Sequence, residues 1–160
     1  MKQSNVLMDD TLRLALILES VRYCQRVKGM GMPAAAYTKA LREPIHFLWE
    51  RRAGNKICVA KYRSRAALGM RFGNGDLIYD HAVPFCYLQE ELLQLAAPNE
   101  EDVKSILNRH GTIVLITRAE NARLNAAGYN RKMPSGKEWT YAFERYEALG
   151  IELVECAGGS

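Results

Sequence analysis

Asp80 and His81 stand side by side after the apolar run Leu77-Ile78-Tyr79, and Pro84 follows three residues later. A carboxylate is a hard oxygen ligand for divalent cations, and an imidazole with an ordinary pKa of about 6.5 can take up a proton near neutral pH. The dipeptide could therefore serve metal-assisted or general-base chemistry. Its structural alternative is a strand-end acid that accepts backbone N–H bonds beside a packed histidine.

The residues before this dipeptide predict a β-hairpin. Met70-Arg71-Phe72 and Leu77-Ile78-Tyr79 flank Gly73-Asn74-Gly75-Asp76, and Asn-Gly tolerates the positive φ angles of tight hairpin turns. Residues 57–62 predict an earlier strand. We therefore expect Asp80 and His81 at the end of the second hairpin strand.

A second strand and a helix are predicted further along the chain. Thr112 to Ile116 is a short apolar run rich in β-branched residues, which is typical of a buried strand. Thr117 and Glu120 have the spacing of a capping box and predict a helix start, and Gly128 predicts its end. The predicted helix carries two asparagines, Asn121 and Asn125, which are four residues apart and share a face.

This order and two short motifs resemble the HNH endonuclease superfamily. Asp80-His81-Ala82-Val83-Pro84 is similar to the Asp-His-(Ile/Val)-x-Pro signature of homing endonucleases and of the HNH domain of CRISPR effector nucleases. The residues from Val114 to Asn121 resemble the second strand and helix start of that effector domain. The resemblance covers residues 77–128. The chain departs from the family in the long helical insertion at residues 85–111, in the missing middle asparagine and in a helix asparagine shifted by about one residue.

The resemblance implies a ββα-metal site. Mg²⁺ or Mn²⁺ would be held by Asp80 and Asn121, with Asn125 and His110 as alternative ligands, and His81 would be the general base. No organic cofactor is implied.

The remaining pattern predicts an α+β fold: a ββα-metal core, an N-terminal helical lobe and a helical insertion between the two core strands. Leu14, Ile17, Leu18, Val21 and Cys24 recur at helical spacing and predict a helix over residues 10–28. Further helices are predicted at 33–42, 47–49, 86–95, 99–110 and 138–148, and a closing strand at 151–154. We expect a helical lobe at residues 1–56 and an HNH-like domain at residues 57–160, with one compact domain as the alternative.

Positive charge is concentrated between Lys39 and Arg71. This stretch has nine Lys/Arg and two acids, a net charge of +7, whereas the rest of the chain carries −3. Such a block suggests a polyanionic partner, DNA rather than RNA, although it also suits a solvated basic face. The predicted nucleic-acid-binding residues are Arg51, Arg52, Lys56, Lys61, Arg63 and Arg65.

Other features of the sequence argue against several classes of protein. The four cysteines are widely spaced without a Cys-x-x-Cys pair, which argues against a zinc ribbon. The run Leu14 to Leu18 is too short to cross a bilayer, so we expect a cytoplasmic protein with no membrane partner. No phosphate-cradling glycine loop or nucleophile elbow is present to suggest a small-molecule enzyme.

The sequence therefore predicts a metal-dependent HNH-like endonuclease that hydrolyses phosphodiester bonds of nucleic acid. The alternative is a catalytically inactive HNH-like module that binds nucleic acid or protein, for example in conflict between phage and host. The N-terminal helices could provide a homodimer surface or a site for a protein partner.

Overall fold

The protein has an α+β fold. In the computed structural model, which describes residues 8–52, 54 and 60–156, six α-helices accompany a four-stranded mixed sheet. Contacts divide the chain into two compact units. The helical unit comprises Met1–Arg52 and Gln89–Leu107, and the sheet unit comprises Ala53–Leu88 and Asn108–Ser160.

Helix α1, Asp10–Gly29, forms the centre of the helical unit. The Asp9 carboxylate caps it by accepting from the Leu12 N–H at 2.8 Å. The predicted apolar face is confirmed, because the buried residues of this helix are Leu14, Ile17, Leu18, Val21 and Cys24.

The next helical segment is continuous through Pro44. After a 3₁₀ turn at Ala34–Ala36, helix α2, Thr38–Pro44, runs directly into a π-helical turn at Ile45–Glu50. Proline has no N–H to complete the α-helical ladder. The break that the sequence predicts at Pro44 is therefore a change of hydrogen-bond pattern and not a gap.

The predicted insertion helices are confirmed as α3, Phe85–Gln94, and α4, Glu100–His110. Asn99 caps α4 by accepting from the Asp102 N–H at 2.9 Å. In the helical unit, Gln25 of α1 donates to backbone carbonyls at the end of α3, with the shortest bond, 2.8 Å, to Leu95. This side chain satisfies carbonyl groups that a helix end leaves unpaired.

The sheet contains β1 (Tyr62–Ser64), β2 (Leu77–His81), β3 (Ile113–Thr117) and β4 (Leu153–Glu155) in the spatial order β2-β3-β1-β4. Strand β3 is antiparallel to β2 and parallel to β1, and β1 is antiparallel to β4. The mostly apolar run of β3 is buried because it is a central strand with packing on both faces.

The predicted hairpin is wrong, since residues 70–72 form no strand and β2 pairs with β3 instead. Of the Asn-Gly pair, Gly75 has the expected positive φ angle, 78°, whereas Asn74 does not; Gly73 also has a positive φ angle, 135°. Arg118 holds this loop by donating from Nε to the Gly75 carbonyl at 2.9 Å. Of the predicted strand at 57–62, residues 57–59 lie outside the described part of the chain.

Helices α5, Arg118–Ala126, and α6, Glu144–Ala148, contribute to one face of the sheet. The capping box is confirmed at Thr117 and Glu120, whereas the predicted helix at 138–148 is reduced to a 3₁₀ turn, Gly136–Glu138, and the short α6. The core on this face contains Ala82, Val114, Ile116, Leu124, Tyr146 and Ile151. The core on the opposite face contains Ala60, Ala67, Leu77, Ile113 and Leu115.

Candidate functional site

Asp80 lies on the sheet face that α5 covers. Its partner in the antiparallel register is Val114, and side chains of directly opposed residues share a face. Val114 packs in the same core cluster as Leu124 of α5. The strand order and the register therefore place this carboxylate beneath the helix that follows β3.

The Asp80 carboxylate accepts hydrogen bonds from two side chains of α6. Its Oδ2 atom accepts a hydrogen bond from Arg145 Nη2 at 2.6 Å and another from the Tyr146 hydroxyl at 2.6 Å. The side chains of Asp80 and Arg145 are only 17% and 2% exposed. This ion pair is therefore largely shielded from water. Charges interact more strongly in such surroundings than they do in water.

Arg145 also fixes the backbone at the end of β2. Its Nε donates to the Ala82 carbonyl at 2.8 Å, and Nη2 donates to the His81 carbonyl. Nη1 donates to the Tyr129 carbonyl at 2.6 Å, in the turn after α5. A guanidinium has five N–H donors in a rigid plane, which allows one buried side chain to join three segments.

His81 points to the other face of the sheet. It opposes Ile113, and the ladder continues past it because the Ala82 N–H donates to the Thr112 carbonyl at 2.9 Å. In an unbent strand, successive side chains point to opposite faces. The His81 ring accordingly lies 5.8 Å from the ring of Tyr79, which shares its face.

The other expected ligands are not hydrogen-bond partners of Asp80. Asn121 is half-buried on α5, and Asn125 is exposed on the same helix. The hydrogen-bond partners of the Asp80 carboxylate within the described residues are Arg145 and Tyr146. His110 is buried, with its ring edge-on to Trp139 at 5.2 Å.

These residues do not fit the expected Mg²⁺ or Mn²⁺ site. A buried guanidinium already neutralises Asp80, and it would repel a divalent cation placed beside the same oxygen. Across residues 8–52, 54 and 60–156, no three His, Cys, Asp or Glu side chains gather in a way that could hold a metal. We therefore derive no metal-dependent step for this chain.

Two of the six predicted nucleic-acid-binding cations, Arg51 and Arg52, belong to the helical unit, and both lie against aromatic rings. The guanidinium of Arg52 stacks over Trp49 at 3.8 Å and is 3.7 Å from an Asp10 carboxylate oxygen. Arg51 lies over the Phe47 ring at 5.6 Å. These contacts give both cations a role in packing.

The other four predicted nucleic-acid-binding cations precede, lie in or follow β1. Arg63 donates to two carbonyls of the turn after β1, and Arg65 forms a bidentate pair with Glu152 at 2.7 and 2.5 Å. Lys61 is exposed just before the strand, and Lys56 lies outside the described residues. Since β1 spans only Tyr62–Ser64, Arg63 is the one of these four cations that lies within the strand.

Neither Arg145 nor Tyr146 is among the functional residues predicted from the sequence. A buried arginine cannot be distinguished from an exposed one by residue type. The available signal was Asp80 itself, because an acid at the end of an apolar strand needs a donor or a counter-charge if it is buried. Which of the 22 Lys/Arg residues supplies that charge depends on long-range packing.

Comparisons with protein-family models, curated proteins and solved structures find no match to this chain. Within the described part of the chain, every helix is too short or too polar to cross a membrane.

The phenol of Tyr146 should make stability depend on alkaline pH. Burial and then the charge of Asp80 raise the pKa of Tyr146 well above its usual value of about 10, although Arg145 acts in the opposite direction. The folded protein keeps this proton while the unfolded chain loses it, so stability present below about pH 10 is lost as the pH rises further. In urea unfolding, the free energies of wild type and Tyr146→Phe should change in parallel between about pH 8 and 9. Above about pH 10, the free energy of unfolding of wild type should fall more steeply, by up to about 1.4 kcal/mol per pH unit. Profiles that stay parallel above about pH 10 would contradict this assignment.

Proposed function

We propose that the sheet unit is a nucleic-acid-binding module on an HNH-like ββα arrangement and that it binds without cleaving. Strands β2 and β3 followed by α5 have the order expected of that arrangement. The pairing of Asp80 with Arg145 argues against metal-dependent cleavage. Endonuclease activity stays a prediction, and the experiment below includes a test of it.

The observation that carries this proposal is the composition of the solvent face of α5. Its exposed residues include two arginines and no acid: Arg118, Ala119, Ala122, Arg123, Asn125 and Ala126. The one acid of the helix, Glu120, is buried, where it accepts from the Ser64 hydroxyl at 2.6 Å and from the Thr117 N–H at 2.9 Å. The exposed surface of this helix therefore keeps its full positive charge.

This face has the shape and chemistry that a nucleic-acid backbone requires. The small side chains of Ala119 and Ala122, between the two arginines, and of Ala126, after them, allow a phosphate backbone or a groove to approach the helix closely. Arg118 and Arg123 each donate one bond to a carbonyl, of Gly75 and Leu149 respectively. Each guanidinium has further donors with which to bind phosphate oxygens.

The turn after α5 extends the same positive surface. Arg131 and Lys132 are exposed there, and Lys132 Nζ lies 6.0 Å from the ring centroid of Tyr129. From Arg118 to Lys132 the chain thus has four exposed cations and no exposed acid. We define these four residues, Arg118, Arg123, Arg131 and Lys132, as the α5 basic surface. Contacts of this kind position a nucleic acid without reading its sequence.

Fluorescence anisotropy with a labelled DNA duplex over a range of salt concentrations tests the proposal. The wild-type protein should bind with an affinity that falls steeply with salt. In the triple variant Arg123→Gln/Arg131→Gln/Lys132→Gln, the slope of log K against log salt should become shallower by about 2.7, or about 0.9 for each lost phosphate contact. Arg118 is left unchanged because it also holds the Gly75 loop.

The matched control removes exposed cations elsewhere in the sheet unit, in the variant Lys61→Gln/Arg71→Gln. Its salt slope should stay close to that of wild type. Equal losses in both variants would mean that binding reflects general positive charge, and salt-insensitive or absent binding would refute the proposal. Plasmid cleavage in Mg²⁺ or Mn²⁺ that is abolished by EDTA and by His81→Ala would refute its non-catalytic part.

A further inference from the structure

Helix α1 of the helical unit has apolar residues on two opposite faces. One face is the buried core face described above. On the other face, Leu12, Leu16, Tyr23 and Met30 follow one another at intervals of four, seven and seven residues, which places them in one stripe. Leu12, Tyr23 and Met30 are 50%, 47% and 80% exposed. A helix with a second apolar face in a folded unit suggests a surface that another protein covers.

The exposed apolar side chains are concentrated in this region. Five of the seven large hydrophobic residues exposed in the described chain lie between positions 12 and 47: Leu12, Tyr23, Met30, Met32 and Phe47. Beside α1, an open groove of about 530 Å³ is lined by α1 together with Ala40, Pro44 and Leu48. Scattered exposed apolar residues are normal, but a group next to a groove is typical of a protein-binding surface.

Charged residues in this stripe favour one occupant, a second copy of the chain. Glu19 and Arg26 are exposed, lie seven residues apart on the same side of α1 and flank Tyr23. If two α1 helices pack antiparallel about a two-fold axis near Tyr23, Glu19 of each copy faces Arg26 of the other. The same axis brings Leu16 close to Met30 of the second copy. One antiparallel arrangement therefore forms both the ion pairs and the apolar contacts.

We propose that the protein forms a two-fold symmetric dimer through the α1 outer stripe: Leu12, Leu16, Glu19, Tyr23, Arg26 and Met30. The two copies bury the apolar residues and form two reciprocal Glu19–Arg26 ion pairs at the edge of the interface. This proposal uses only the helical unit and does not depend on nucleic-acid binding.

Sedimentation equilibrium of the full chain tests the dimer by charge exchange. Measured over protein concentrations from about 1 to 100 µM, wild type should show a dimer with a dissociation constant on the order of micromolar. Glu19→Arg and Arg26→Glu each replace both interface ion pairs by two pairs of like charges, one on each side of the two-fold axis. Each variant should therefore raise the dissociation constant at least about tenfold. The double variant Glu19→Arg/Arg26→Glu should restore the dimer because it recreates both ion pairs with exchanged positions.

A charge reversal at the exposed Glu101 of α4 serves as the matched control, and Glu101→Arg should leave the dimer unchanged. Circular dichroism would verify that every variant is folded. Monomeric wild type would overturn the proposal. A double variant as monomeric as the single ones, or single variants as dimeric as wild type, would refute the antiparallel pairing through Glu19 and Arg26.

Discussion

Replacing Arg145 with methionine is expected to lower the free energy of unfolding by about 3–5 kcal/mol, because it leaves the Asp80 carboxylate without its counter-charge. Methionine fills a similar volume but donates no hydrogen bond, so the carbonyls of Ala82 and Tyr129 also lose a donor. Denaturant unfolding followed by circular dichroism measures the loss. If the loss is below about 1 kcal/mol, this ion pair does not hold the end of β2 as described.

The matched control for this substitution is Arg131→Met, which removes an exposed arginine of the same unit. It should change stability by less than about 0.5 kcal/mol, as most surface substitutions do. The double variant Asp80→Asn/Arg145→Met adds a second comparison. It should be more stable than the sum of the single losses predicts, since no unpaired charge then remains buried.

Substitution of Glu120 by alanine should have the second largest effect, a loss of about 2–3 kcal/mol in the free energy of unfolding. The Glu120 carboxylate accepts from the Ser64 hydroxyl in β1 and from both the N–H and the hydroxyl of Thr117 at the start of α5. Its removal leaves a buried hydroxyl in β1 and an N–H of the helix cap without an acceptor.

A double-mutant cycle with Ser64→Ala separates the two roles of Glu120. If the carboxylate joins β1 to the helix start, the double variant should lose less stability than the sum of the losses from Ser64→Ala and Glu120→Ala. The difference in the free energy of unfolding should be about 1 kcal/mol or more. Glu138→Ala, at an exposed position, is the control for removing a glutamate from the surface of this unit. Purely additive losses would indicate that Glu120 acts only as a cap for α5.

The two buried networks explain how the sheet unit holds its β2–β3–α5 arrangement. Glu120 connects β1 to the start of α5, and Arg145 connects the end of β2 to α6 and to the turn after α5. Each network places a charge where water is largely excluded and satisfies it with several partners, as buried charges require. Because Glu120 is buried, the exposed charged residues of α5 are its two arginines, Arg118 and Arg123.

The signals that predicted structure correctly lie within a few residues of one another. The spacing of Leu14, Ile17, Leu18, Val21 and Cys24 marked the core face of α1 because neighbouring turns of one helix decide that face. The capping box at Thr117 and Glu120 is likewise a contact over three residues. Of the Asn-Gly pair that predicted a turn, Gly75 has the positive φ angle and Asn74 does not.

What the local pattern could not decide was the partner of each element. The Asn-Gly turn suggested a hairpin, but β2 pairs with a strand that follows an insertion of two helices. The division of Asp80 and His81 between opposite sheet faces follows from that pairing, whose register places Asp80 opposite Val114 and His81 opposite Ile113. No residue near Asp80 in sequence indicates this outcome.

The amino-acid sequence by itself determined α1, the two insertion helices, the buried strand β3 and the cap of α5, because hydrophobic spacing and capping act along the chain. Only the tertiary structure decided that Asp80 pairs with Arg145, an arginine 65 residues away in the sequence. The physical reason is that a buried acid requires a counter-charge, and the packing of distant segments determines which cation reaches it.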